Sequence, residues 1–187
     1  PAITIPAGVT SIGNYAFRNC RSLADLHLLG GVQTVGYYAF AGCWKLTSVN
    51  FSAGLTSIRD SAFSYCPALV SVTLPAGLTL IENSAFLSCS SLVGVTIPAS
   101  VTTIGISAFA RCTSSLNFTV EEANPNYRSL DGVLYDKSVT RLMAYPGARA
   151  GSFIVPDGVV SIDPMAFDAC AKLNLLTGET KEDAKGE

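Results

Sequence analysis

Apolar positions along this chain keep one composite pattern. Short stretches alternate apolar and polar residues: Leu23-x-x-Leu26-x-Leu28, Leu46-x-x-Val49-x-Phe51, Leu69-x-x-Val72-x-Leu74 and Leu92-x-x-Val95-x-Ile97. A Val-x-x-Ile pair recurs beside them: Val9 and Ile12, Val32 and Val35, Leu55 and Ile58, Leu78 and Ile81, Val101 and Ile104, and Val159 and Ile162. An Ala-Phe-x-x-Cys stretch closes each unit, at Cys20, Cys43, Cys66, Cys89, Cys112 and Cys170, and the first five are evenly spaced. A fixed period of about 23 residues marks a solenoid, in which no unit buries its apolar face alone and neighbours stack into one core.

The alternating stretches predict strands, and stacked strands from successive units predict a parallel sheet with rungs about 4.8 Å apart. The Ala-Phe-x-x-Cys stretch is too short for a long helix; it predicts a short helical or 3₁₀ turn on the back, with its Phe in the core. The outward strand position is polar at Thr4, His27, Asn50, Thr73 and Thr96, which leaves one sheet face solvated.

The period breaks once. The interval from Cys112 to Cys170 is more than twice as long as the others, and one extra residue separates Cys112 from Leu116. Within the gap, Asn124-Pro125 is a turn signal. Val133-Leu-Tyr135 and Arg141-Leu-Met-Ala-Tyr145 are strand-like runs joined by Asp136-Lys-Ser, which predicts a β-hairpin insertion at about 117–152. The repeat resumes at Phe153-Ile-Val-Pro156-Asp-Gly-Val159. The insertion reads as a spacer that carries the core across a longer loop, with the alternative that its edge contributes to binding.

The whole unit, as in Leu69-Val-Ser-Val-Thr-Leu-Pro-Ala-Gly-Leu-Thr-Leu-Ile81-Glu-Asn-Ser-Ala-Phe-Leu-Ser-Cys89, resembles the leucine-rich repeats of the BspA-like, or Treponema-type, family. The resemblance covers residues 1 to about 175. The segment with Asn-Pro-Asn-Tyr127 and Asp-Gly-Val-Leu-Tyr135 looks like an insertion that recurs in such arrays. The resemblance implies a leucine-rich repeat solenoid (α/β to mostly β) over 1–176, and the Lys-, Glu- and Gly-rich composition of 177–187 predicts a charged tail or linker there. It also implies an extracellular or cell-surface protein that binds matrix or plasma proteins.

Composition narrows the function classes. The chain is 49% hydrophobic and 14% charged, with a net charge of −2. No apolar run approaches the length of a membrane span. The charge and the lack of a Lys/Arg run argue against nucleic acid. The start at Pro1, inside a unit and without an initiator Met, points to a piece or mature region of a longer protein.

Catalytic chemistry finds no foothold in the sequence. His27 is the lone histidine, the carboxylates never recur in register, and no phosphate-binding loop, EF-hand loop or paired metal-ligand spacing is present. No cofactor and no enzymatic activity are expected. As zinc ligands the six cysteines lack paired spacing. As disulfides, neighbouring rungs allow the Cα separation, but parallel side chains hold the Cβ atoms too far apart. They read as free thiols filling one packing slot per unit.

Two surfaces are candidates for binding. One is an aromatic patch of Tyr37, Tyr38, Trp44 and Tyr65 in adjacent units; at the Tyr37 and Tyr38 positions other units carry Asn14 and Tyr15, Asp60 and Ser61, or Asn83 and Ser84, and at the Trp44 position Arg21, Pro67, Ser90, Thr113 and Ala171. The other is the strand face: Asp25, His27, Ser48, Asn50, Ser71, Thr73 and Thr96. Asn50-Phe-Ser52 and Asn117-Phe-Thr119 also match the glycosylation sequon. Taken with these surfaces, the resemblance to the BspA-like family implies a non-catalytic adhesion module of a surface or secreted protein that recognises host or matrix proteins or other cells through a protein or glycan ligand. The alternative is a structural spacer or carbohydrate-binding module attached to another domain.

Overall fold

The structure is a computed structural model, and it describes residues 1–114 and 116–174. It is a parallel-sheet solenoid of about 7 turns of roughly 23 residues. The seventeen strands of the described residues are numbered in chain order. The first sheet stacks β1 (Ala2–Ile5), β3 (Asp25–Leu28), β5 (Ser48–Asn50), β7 (Ser71–Val72), β9 (Gly94–Ile97) and β11 (Asn117–Val120). The second stacks β2 (Ser11–Ile12), β4 (Thr34–Val35), β6 (Ser57–Ile58), β8 (Leu80–Ile81) and β10 (Thr103–Ile104). All these pairs are parallel and join residues one repeat apart, such as Ile3 with Leu26 and Ile12 with Val35.

The first sheet holds the alternating stretches, and the second holds the last residue of the first five Val-x-x-Ile pairs, Ile12, Val35, Ile58, Ile81 and Ile104. Their inward residues, with the Ala-Phe-x-x-Cys side chains, form one continuous core. Phe17, Phe40, Phe63, Phe86 and Phe109 make a column of near-parallel rings with centroids 5.0, 5.2, 5.5 and 5.4 Å apart.

The back of the solenoid, expected to carry a short helical or 3₁₀ turn, consists of turns with i→i−3 bonds and no helix among the described residues. In a helix every interior N–H bonds within its own segment. Here the donors alternate. The amides of Tyr15, Phe17 and Asn19 donate to the carbonyls of Tyr37, Ala39 and Ala41 in the next rung, at 2.8, 2.7 and 2.7 Å. The intervening amides of Arg18 and Cys20 bond back to Tyr15 and Phe17, both at 3.1 Å. Two residues per turn take positive φ, among them Tyr15 and Asn19 (both 60°), Tyr38 (52°) and Gly42 (72°), and Ser61 (55°) and Tyr65 (56°). The back is thus a third ladder along the stack, because the neighbouring rung offers carbonyls that a lone turn lacks.

All six cysteines are free thiols. Those of Cys43, Cys66, Cys89 and Cys112 donate to the carbonyls of Phe17, Phe40, Phe63 and Phe86, at 3.2–3.4 Å. Burial, with a smaller contribution from a neighbouring thiol for the first two, pushes Cys43, Cys66 and Cys112 up to about 12, and Cys89 well above its ordinary value. Buried protonated thiols are unreactive. Denaturation without reductant should therefore release six titratable thiols, whereas the folded protein should show one fast thiol, the exposed Cys20. Four or fewer thiols after denaturation would overturn the packing-slot assignment.

The stacking continues past Cys112 before the chain departs from it. β11 pairs with β9, Phe118 against Val95 and Val120 against Ile97. Asn124 and Tyr127 then stand one repeat after Val101 and Ile104. Asn124 is fully buried. Its Nδ2 donates to the carbonyls of Pro98 (2.7 Å) and Val101 (3.1 Å). Its Oδ1 accepts from the amides of Asn126 (2.8 Å) and Tyr127 (2.9 Å). The Tyr127 hydroxyl accepts from the Ile104 amide at 2.8 Å and donates to the Thr102 carbonyl at 3.3 Å. It thereby satisfies the backbone of β10 where no further strand of the second sheet follows.

From there the chain forms β12 (Tyr127–Leu130), β13 (Val133–Asp136) and β14 (Arg141–Ala144). β13 and β14 are the antiparallel pair expected from the sequence, and β12 adds a strand that the expectation lacked. Asp131 and Gly132 join β12 to β13 at φ 48° and 76°, the pair of positive values that a two-residue hairpin turn needs. The Asp136 carboxylate organises the next loop, accepting from the Thr140 amide (2.7 Å), the Thr140 hydroxyl (2.6 Å) and the Arg141 amide (2.9 Å). Burial pushes its carboxyl up, but these hydrogen bonds outweigh it and hold it below the usual value.

β14 then pairs in parallel with β16 (Ser161–Ile162), which returns the chain to the stack. Arg141 clamps the largely buried Asp163 with Nε and Nη2, at 2.5 and 2.8 Å. β15 (Gly151–Ser152) and β17 (Leu173–Asn174) form a last short parallel pair. Val133, Tyr135, Leu142, Tyr145 and Ala166 make a second, smaller core under this segment. The expected charged tail, 177–187, lies outside the described residues.

Candidate interaction surface

The aromatic residues singled out from the sequence sit on the back turns of the second and third rungs. Trp44 is 50% exposed, Tyr65 52% and Tyr37 40%, while Tyr38 is half-buried. They do not stack on one another. Tyr38 stacks instead on Tyr15 of the first rung, with centroids 5.5 Å apart and planes 9° apart. Tyr15 was not among the residues expected, although it stands one repeat before Tyr38 in the same column.

Among the described residues arginines lie over Tyr15, Tyr38, Trp44 and Tyr37, but not over Tyr65. The Arg18 guanidinium lies 5.7 Å from the centroids of both Tyr15 and Tyr38. Arg21 lies 4.2 Å over Trp44, and Arg59 lies 5.9 Å over Tyr37. Arg59 also pairs with Glu82 at 2.6 Å, and that partner raises its pKa. The surface is therefore a set of arginine–aromatic pairs spread over adjacent rungs, each a cation over a ring.

The strand face is more self-contained. Asp25, Ser48, Ser71 and Gly94 share one register row, and Thr4, His27 and Asn50 share another. Asp25 Oδ1 accepts from Ser48 (3.1 Å) and Thr47 (3.3 Å). Asn50 Nδ2 meets His27 Nδ1 at 2.8 Å. With the amide donating, His27 carries its proton on Nε2. Thr73 and Thr96 are exposed on the same side.

Among the described residues no group of three or more His, Cys, Asp or Glu is placed to hold a metal ion. An apolar hollow of about 480 Å³ is lined, among the described residues, by Phe153, Val155, Ile162, Phe167, Cys170 and Leu173, none of them a carboxylate or imidazole. No helix among the described residues is long and apolar enough to cross a membrane.

Known structures show the same architecture. A leucine-rich repeat protein from Eubacterium ventriosum is 29% identical with a TM-score of 0.82, covering 90% of this chain and 45% of its own. A leucine rich cell surface protein from Faecalibacterium prausnitzii is 37% identical with a TM-score of 0.70, covering 92% of this chain and 53% of its own. The pneumococcal vaccine antigen PcpA is 26% identical with a TM-score of 0.64, covering 92% of this chain and 43% of its own. The chain thus spans about half the length of these proteins. No curated protein matches it in sequence. The model of the BspA type leucine rich repeat region matches residues 1–116 in 6 copies. The repeating unit, the stacked parallel strands and this match together place the chain in the BspA-type leucine-rich repeat family, whose repeats serve protein interaction and are generally non-catalytic.

Proposed function

We propose that this chain is a non-catalytic binding module of a surface or secreted protein, and that it engages a protein partner through the aromatic back of its first three rungs. The observation that carries this reading is positional. Tyr15, Tyr38 and Tyr65 stand at φ 60°, 52° and 56°. A left-handed backbone costs an L-residue roughly 1–2 kcal/mol and is at its least favourable for a bulky side chain. Other rungs place Ser61, Ser84, Ser107 and Met165, or Asn19, Gly42, Ser88, Arg111 and Ala169, at these positions, so most rungs use a small or polar residue and none of these others an aromatic. Tyr15 and Tyr65 are more than half exposed, so their rings add little to the core in return. Trp44 is likewise exposed, where other rungs hold Arg21, Pro67, Ser90 and Thr113. The fold does not call for these rings, and Trp and Tyr dominate binding hot spots.

The strand face supports binding less well, because Asp25, Ser48, His27 and Asn50 hydrogen-bond one another across the rungs. A location outside the cell is supported by the similar cell-surface protein. The test is a panel of immobilised matrix and plasma proteins beside a glycan array. Trp44→Ala and Tyr38→Ala should each weaken protein binding at least tenfold, while Asn50→Arg and Thr73→Arg leave it unchanged. The reverse pattern would move the site to the strand face. Glycan binding alone would make the chain a carbohydrate module, and no binding at all would make it a spacer.

A further inference from the structure

We propose that the partner presents an acidic polypeptide segment to Arg18, Arg21 and Lys45. The inference rests on the reading of the aromatic back as the binding surface and assigns the chemistry that this surface selects. Arg18 and Arg21 leave the turn of the first rung and reach across to rings of the second, Tyr38 and Trp44. Lys45 is exposed and follows Trp44 directly. Among the described residues, the ion pairs are Arg59–Glu82, Arg111–Asp168 and Arg141–Asp163, and none involves these three cations. The carboxylates nearest in sequence are engaged elsewhere: Asp25 accepts from Thr47 and Ser48, and Asp60 from Ser61 at 2.6 Å. Among the described residues these three cations therefore stand without a counterion.

The geometry also selects among anions. A guanidinium lying on a ring is held in plane and shielded on one side, while its N–H edge stays free. Neither Arg18 nor Arg21 spends a side-chain hydrogen bond among the described residues, whereas Arg59, Arg111 and Arg141 all do. A free, oriented guanidinium fork matches a carboxylate in two-point fashion. The same stacking works against a sugar ring as the ligand, because an arginine already lies over one face of Trp44 and beside the stacked Tyr15 and Tyr38. An Asp/Glu-rich peptide uses the cations without displacing them from the rings.

The experiment measures binding of the full chain to three labelled probes by fluorescence anisotropy. These are a peptide of alternating Glu and Ser, its Gln counterpart, and a sulfated heparin oligosaccharide. The Glu peptide should bind, and the Gln peptide should not. Binding should fall at least about tenfold from low to high ionic strength, because exposed charge pairs are screened. Arg18→Gln with Arg21→Gln should weaken it at least tenfold, and Arg21→Glu should abolish it. Arg128→Gln, on β12, should change nothing. All these side chains are exposed, so the variants fold as the parent does. Absent binding of the Glu peptide, or binding indifferent to the arginine variants, overturns the proposal. Arginine-dependent binding that favours the oligosaccharide overturns it too, in favour of a sulfated glycan. A panel protein that loses affinity on Trp44→Ala but not on Arg18→Gln with Arg21→Gln would refute the acidic partner while leaving the aromatic surface in place.

Discussion

Replacing Asn124 with alanine is expected to destabilise the protein by about 3 kcal/mol, more than any other polar substitution in the insertion, because each unpaired buried group it leaves costs roughly 1–3 kcal/mol and partial relaxation reduces the sum. Asn124 is fully buried and makes four hydrogen bonds, each to the backbone. Alanine would leave the Val101 carbonyl and the amides of Asn126 and Tyr127 without these partners, while the Pro98 carbonyl keeps its bond from the Val101 amide at 3.2 Å. Asn124→Asp separates the two halves of the role. It keeps the acceptor for the two amides but sets a carboxylate against the two carbonyls, so it should be at least as harmful at neutral pH and milder once protonated in acid. Asn126→Ala, whose side chain makes none of these bonds, should cost under about 0.5 kcal/mol. Urea unfolding of the three variants checks the ranking, and a loss below about 1 kcal/mol for Asn124→Ala, the lower bound for even one unpaired buried group, would show that the insertion is not pinned through this residue.

Asn124 also marks where the sequence was hardest to read. The stacking itself was legible, because the Phe and Cys columns recur in every regular unit and an apolar column at fixed period has no other use. The column beginning at Val9 and Val32, by contrast, changes from apolar Val101 to polar Asn124, and the following one from Ile104 to Tyr127. The side chains change chemistry while the backbone positions persist, so hydrophobic periodicity alone loses the register there. The offset of one full repeat from Val95 to Phe118 was the available signal, and Asp131-Gly132 was the signal for the added strand β12.

The back ladder was illegible for a different reason. Ala-Phe-x-x-Cys specifies a turn locally, but whether its amides bond inward or to the next rung is decided by the neighbour. Left-handed positions occupied by Tyr15, Tyr38 and Met165 are ones that no local propensity predicts. On the candidate surface, the aromatic rings stood out as departures from the repeat. Their arginine partners did not. The position of Arg18 holds Ala41, Ser64 and Ala110 in other rungs, where it is buried, so only the three-dimensional stack shows Arg18 reaching out over two tyrosines.

The second large effect is expected at the middle of the phenylalanine column. Phe63 is fully buried, stacks on Phe40 at 5.2 Å and Phe86 at 5.5 Å, and meets Phe51 edge-on at 5.5 Å. Phe63→Ala should cost about 4 kcal/mol, the range for a buried Phe whose cavity cannot collapse. The cavity cannot collapse here because the rungs above and below are tied by three backbone ladders at fixed spacing. Phe17→Ala should cost less than half as much, since Phe17 is half-buried and has one ring partner, Phe40. Phe63→Leu should cost only about 1–1.5 kcal/mol, because it restores most of the volume. The form of the unfolding curve is a sharper readout than its midpoint. In a stack each unit contacts only its neighbours, so a void at the third rung weakens the only link between the first two rungs and the rest. Phe63→Ala should therefore lower the urea m-value as well as the midpoint, with amides of β1 to β4 exchanging faster than those of β8 to β10. Phe17→Ala should shift the midpoint alone. Equal losses for Phe63→Ala and Phe17→Ala, with unchanged m-values, would mean that the column contributes only local burial and that the array is coupled through its backbone ladders.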